Sequence, residues 1–195
     1  MSFMDKAIIF ADRALKVLTH EVVGEKQDNF DQSIPLMRAN YAGEVAAQGL
    51  YLGAWFLESH PYNQIFYTQA IDEEFRHLDW CGLRLAQLGG SVSVFNPVWF
   101  FGACIMGMTS QAMGAKYALG FVYETEKQVL SHLRAHLKRL PQLDICSKRI
   151  IKEMIKEESE HADAALIRGG VGLPRFIRAS MHQFGQILTQ VSERI

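Results

Sequence analysis

A glutamate followed about one helical hairpin later by a Glu-x-x-His motif occurs twice in this chain. Glu44 precedes Glu74-Phe75-Arg76-His77, and Glu126 precedes Glu158-Ser159-Glu160-His161. Residues 44 and 126 are 82 apart and residues 74 and 158 are 84 apart, so the internal geometry repeats almost unchanged. Residues three apart lie on one face of a helix, so each motif sets a carboxylate beside an imidazole. The repeat therefore reads as a duplicated helix pair, four helices in all.

The rest of the chain agrees with an all-α reading. Glycine and proline divide it into long segments of helical period, six or seven helices with no sheet. A short amphipathic helix covers residues 5–19 and a polar stretch follows over 24–33. A long helix opened by Pro35 closes before Pro61, the next spans 63–88, and Gly89-Gly90 stops it. Pro97 opens an apolar region in which Lys116 is the only charge before Glu124. The region continues into a helix ending near Pro141, another helix spans 145–168, and Pro174 starts an amphipathic C-terminal helix. With no low-complexity segment or linker, residues 1–195 read as one domain.

Composition narrows the function classes. With 49% hydrophobic residues and a formal charge of −1, the chain is neither a disordered tail nor a broad nucleic-acid surface. Three scattered cysteines indicate no disulfide framework and suit a reducing, cytosolic compartment. Charges at Asp5, Lys6, Asp12 and Arg13 interrupt the first residues, so no secretory leader is read there. The uncharged, non-polar run 98–108 is shorter than the roughly 20 residues a membrane span needs. Two readings of it stand side by side, interfacial membrane contact and a helix buried on all sides.

Face arithmetic picks the inward carboxylates. Glu44 is the only charged residue between Arg38 and Glu58. Glu126 is flanked at helical spacing by Leu119, Val122, Tyr123, Val129, Leu130 and Leu133, whereas Glu124 meets Lys127 and Gln128. Glu74 is preferred over Glu73 and Glu158 over Glu157 by the same test. An unpaired buried carboxylate costs several kcal/mol, and a shared cation compensates it. Four inward glutamates and two histidines from four helices are the donor set of ferritin-like di-iron or di-manganese bundles. Iron or manganese suits these donors; zinc is disfavoured by the absence of cysteine and magnesium by the histidines. His132 and His136 read as a solvent-facing pair, because His132 lies about 240° around the helix from Glu126. His20, His60 and His182 suggest nothing specific. The run Lys148, Arg149, Lys152, Lys156 reads as a solvated face, with anionic lipid as the sharper alternative.

Several stretches resemble one family. Arg38-Ala39-Asn40-Tyr41-Ala42-Gly43-Glu44, the Glu74 and His77 pair, Gly120-Phe121-Val122-Tyr123-Glu124-Thr125-Glu126 with His132, Glu158 with His161, and Gly172-Leu173-Pro174 are similar to the demethoxyubiquinone hydroxylases of ubiquinone biosynthesis. Tyr41 departs from the pattern, which usually has histidine there. The resemblance implies a ferritin-like bundle with extra N-terminal, apolar and C-terminal helices. It implies two Fe ions per chain, Glu44 and His77 on one, Glu126 and His161 on the other, with Glu74 and Glu158 bridging. The activity it implies is O2-dependent mono-oxygenation of a polyprenylated demethoxyubiquinol, by a peripheral protein at the cytoplasmic face of the cell membrane. Other ubiquinone-biosynthesis proteins would be its partners, and nucleic acid would not. Residues 98–121 would then be the membrane-surface and tail-binding helix, with Trp99 and Phe100 at the lipid. The competing readings are a ferroxidase or iron-storage bundle and a non-catalytic prenyl-lipid carrier.

Overall fold

A helix that is apolar on every side needs neighbours on every side, and the segment Ile34–Leu57 (α2) is such a helix. In this computed structural model, which describes residues 2–195, almost all of α2 beyond its first turn is buried. Around it are α1 (Phe3–Leu18), α3 (Pro61–Leu88), α4 (Asn96–Ala112), α5 (Ala115–Arg139), α6 (Ile145–Ile167) and α7 (Arg175–Arg194). No strand occurs among the described residues. Helix α2 packs on α3 and α5 on α6, and contacts of α2 with α5 and α3 with α6 close a four-helix bundle. The outer helices α1, α4 and α7 all lean on α2. The fold is the all-α ferritin-like bundle expected from the repeat.

Local chemistry sets the ends of these elements. Prolines occupy the first turns of α2, α3 and α4, where their missing N–H is no loss. Gly89 closes α3 in the left-handed region, at φ 73°. The polar stretch before α2 holds one short 3-10 turn, Asp31–Ser33, in addition to the loop expected there. Its neighbourhood is pinned by Arg84, which is buried against Asp28 and Asp144, the latter at 2.8 Å.

Helix α4 is buried on one side only, so the reading of the apolar region as a helix buried on all sides does not hold. Trp99, Phe100, Ala103, Cys104 and Gly107 face inward, while Val98, Phe101 and Ile105 are exposed. Trp99 and Phe100 therefore belong to the packed interior and not to the outer face expected for them. No described helix is long and apolar enough to cross a membrane.

Contact between α2 and α4 is backbone to backbone. A Cβ added at Gly49, Gly53 or Gly107 would overlap a carbonyl oxygen of the opposite helix: Phe100, Cys104 and Leu50 respectively. Gly43, on the same helix α2, has open space where its Cβ would go. Gly53→Ala must push the helices apart and is expected to cost about 1–3 kcal/mol in urea unfolding. Gly43→Ala should instead stabilise by about 0.5–1 kcal/mol, the ordinary helix-interior preference for alanine. Equal stabilities for the two variants would contradict this account of the crossing.

Candidate metal centre

The six side chains singled out by spacing converge inside the bundle. Glu44 comes from α2, Glu74 and His77 from α3, Glu126 from α5, and Glu158 and His161 from α6; all six are buried. Candidate donor atoms form two overlapping groups, Glu44–Glu74–His77–Glu158 and Glu74–Glu126–Glu158–His161, each within 4.8 Å of one another. Glu74 and Glu158 belong to both. Glu158 sets Oε1 3.0 Å from His77 Nδ1 and Oε2 3.2 Å from His161 Nδ1. Glu74 spans the same gap from the other side, at 3.4 Å and 3.0 Å.

These groups are only partly satisfied by one another. Glu44 Oε2, both oxygens of Glu74 and His77 Nδ1 are buried with no hydrogen-bond partner among the described residues. Such atoms are costly to bury, and here they are aimed at common centres, as ligands of a cation are. Burial pushes Glu44 and Glu126 well above the usual carboxylate range, and repulsion from Glu74 and Glu158 adds to it. Burial also opposes charge on Glu74, but its contacts with His161 and His77 outweigh that and hold it low. The imidazoles respond in the opposite sense: burial disfavours their charge, yet Glu158 and Glu74 hold His161 up at about 12. Without a cation, the cluster keeps protons that a divalent metal would displace. The donor set fits a pair of such metals.

The outer nitrogens of both imidazoles are held crosswise. His77 Nε2 lies 2.7 Å from Glu157 of α6, and His161 Nε2 lies 2.7 Å from Glu73 of α3. A carboxylate on the outer nitrogen fixes the ring and directs the other nitrogen inward. Sequence reasoning set Glu73 and Glu157 aside as less inward, and neither lies in the donor groups. Their positioning role was written in the repeat itself, because both motifs read Glu-Glu-x-x-His.

Two tyrosines of α2 were also missed as site neighbours. Tyr51 donates to Glu126 Oε1 at 2.7 Å. Tyr41 meets His20 Nδ1 at 2.9 Å, and His20 Nε2 meets Asp79 at 2.7 Å, so His20 has a specific place after all. Gly82 leaves room for this pair, since a Cβ there would lie 3.1 Å from His20 and 3.3 Å from Tyr41. The segment after α1 thus sets an imidazole directly against the Tyr41 hydroxyl.

A cavity of about 620 Å³ opens between α2, α4, α5 and α7 and reaches Glu44. Its lining combines apolar Ala46, Leu50, Met106, Phe121 and Leu188 with polar Asn40, Gln128, His132, Arg139 and Glu193. Here the structure corrects the expectation of a solvent-facing histidine pair. His136 is buried and His132 partly so, because α7 lies over that face of α5 and supplies Thr189 and Glu193. Asn40 Oδ1 accepts from His136 Nδ1 at 2.8 Å and His132 Nε2 at 3.2 Å.

The geometry defines an all-helical bundle with a buried carboxylate–histidine centre and an adjoining apolar chamber, the class of the ferritin-like carboxylate proteins. Residues 32–192 match the family of the ubiquinone biosynthesis protein COQ7, and the chain belongs to that family. Among its relatives, a 3-demethoxyubiquinol 3-hydroxylase of Polynucleobacter asymbioticus is 42% identical over 82% of this chain and 77% of its own length. A protein of the same name from Francisella philomiragia is 36% identical over 100% of this chain and 98% of its own. Another from Acinetobacter baylyi is 45% identical over 80% and 74%.

The histidine pair yields a pH test. Burial pushes His136 down to about 2, with repulsion from His132 and Arg139, and burial pushes His132 down to about 4. A Glu193 oxygen 3.3 Å from His136 does not reverse this, because Arg139 grips both oxygens of that carboxylate at 2.6 and 2.9 Å. Between the unfolded value of 6.5 and these folded values the unfolded chain binds more protons, so stability falls as pH falls. His136→Gln removes one such group. Between pH 7 and 4.5 it should lose about 2 kcal/mol less unfolding free energy than the wild type. Parallel losses in urea unfolding at the two pH values would refute the assignment.

Proposed function

We propose that this chain is a 3-demethoxyubiquinol 3-hydroxylase that works with two irons and O2 on a polyprenylated quinol. The observation that carries the reading is the meeting of two features at Glu44, which is one of the six convergent side chains and also part of the wall of the apolar cavity. Glu44 and His77 would hold one iron, Glu126 and His161 the other, with Glu74 and Glu158 shared. When bound, the irons supply the reduction of O2 that lets one oxygen enter a ring C–H bond while the other leaves as water.

The chain's own residues account for the remainder. The apolar part of the cavity wall gives the quinol ring and the first part of its tail a surface to lie against. On the cavity wall, Asn40 takes the Nε2–H of His132 and thereby fixes that ring with Nδ1 as an acceptor. Among the described residues that nitrogen meets only the Thr189 hydroxyl, at a long 3.4 Å, which a ring hydroxyl of the substrate would displace as donor. Glu157 and Glu73 keep the two imidazoles aimed at the centre while substrate comes and goes.

The test is anaerobic loading with ferrous iron followed by O2, a reductant and a short-chain demethoxyubiquinol. Two irons per chain and a product carrying one atom of labelled O2 are expected. Glu74→Ala and Glu158→Ala should each lower both metals and reduce turnover by at least about a hundredfold, whereas His77→Ala should mainly remove one metal. O2 uptake with two irons and no hydroxylated quinol would replace this reading with a ferroxidase.

The same substrate needs a route from a membrane. The uncharged outer face of α4, with Val98, Phe101 and Ile105 exposed, is the surface on which a peripheral protein of this kind would rest at the cytoplasmic face. Phe101→Glu with Ile105→Glu should reduce co-sedimentation with phosphatidylglycerol-containing vesicles by about tenfold or more. Unchanged binding would remove α4 from the membrane-facing role.

A further inference from the structure

The two halves of the centre share one donor plan, but their surroundings differ at a single decisive position. Each histidine is held by an outer carboxylate at the same distance, 2.7 Å, so the imidazoles are matched. The terminal glutamates are not. Glu126 Oε1 accepts from the buried Tyr51 hydroxyl at 2.7 Å. Tyr51 is itself fixed edge-on by Phe66 and Tyr67, with ring centroids at 6.3 and 6.4 Å. Glu44 Oε2 has no hydrogen-bond partner among the described residues, with His77 Nδ1 at 3.6 Å, and Glu44 forms part of the cavity wall, whereas Glu126 does not.

The difference is written in the duplicated sequence. Tyr51 lies seven residues after Glu44, two turns along the same face and about 10 Å up the helix, which carries its hydroxyl to the far half of the centre. The corresponding position seven residues after Glu126 is Leu133, which is buried, has no donor, and faces the cavity with Glu44.

We propose that Tyr51 is a positioning residue that makes the Glu126–His161 half the tight metal position and leaves the Glu44–His77 half as the labile one facing the cavity. A carboxylate already held in one orientation loses little freedom when a metal binds its other oxygen. Glu44 must be ordered by the metal itself, and the same freedom lets it move when a ligand enters the cavity. Partners of this kind typically change metal affinity ten- to a hundredfold. The inference rests on the two-metal reading above.

Metal binding tests it without turnover. Metal-free protein is titrated with Mn(II) at equilibrium, free ion being read by electron paramagnetic resonance. Wild type should bind two ions per chain in classes at least about tenfold apart. His161→Ala should delete the tight class and His77→Ala the weak one. Tyr51→Phe keeps the ring packing, and its metal-free melting temperature reports that the fold is intact. It should weaken the tight class by about ten- to a hundredfold and leave the weak class in place. Two equal classes in the wild type, loss of the tight class in His77→Ala, or an unmoved tight class in Tyr51→Phe would each overturn the proposal while sparing the two-metal reading. Fewer than two ions in the wild type would overturn both.

Discussion

Four carboxylates buried at close quarters are the constraint around which this protein is organised. Their mutual repulsion cannot be relieved by solvent, and the two imidazoles among them provide too few positive charges to neutralise the group. The bundle meets this by bringing one or two donors from each of four helices to overlapping centres, so that a pair of cations could be shared among all six. That demand fixes the helices' rotation about their axes as well as their adjacency. It explains why α3 and α6 each carry a carboxylate and an imidazole three residues apart, and why the carboxylates next to those pairs reach across to the opposite helix.

The outer helices follow from the character of α2. A helix that buries Glu44 and Tyr51 on one face and glycine-rich backbone on another cannot be left half-solvated. Helix α4 covers the glycine face at backbone contact distance, and α7 covers the rest while walling the cavity. The cavity is thus a consequence of the packing: small residues on α2, Gly43, Ala46 and Ala47, leave space that α5 and α7 enclose without filling.

The helices and the six inward residues were legible in the sequence because both depend on periodicity. Interior Glu44, Glu126 and the Glu-x-x-His pairs break otherwise apolar faces at regular intervals, and no tertiary knowledge is needed to see that. What was not legible depends on elements far apart in sequence. His132 and His136 look solvated beside Ser131, Arg134 and Lys138, and only the return of α7 with Thr189 and Glu193 buries them. His20 acquires its partner because Gly82 of α3 leaves room against Tyr41. Trp99 and Phe100 lie in a segment with almost no charge, so the sequence offers no contrast from which to tell its inner face from its outer one. The glycines of α2 settle it, since their backbone contact with α4 turns Phe100 and Cys104 inward.

Duplication explains why the centre has near-twofold symmetry, and the departures from it show where the two halves differ. The ligand glutamates, their histidines and the crosswise outer carboxylates all obey the repeat. Seven residues beyond the leading glutamates the repeat breaks, with a phenol in one half and a leucine in the other. A hydrogen-bond donor in the leucine's place would have immobilised Glu44 and introduced a polar group into the chamber wall. A leucine in place of the tyrosine would have left Glu126 without the phenol that now donates to it. On the proposed assignment, one half of the centre would serve retention and the other access, although one repeated helix pair supplies the donors of both.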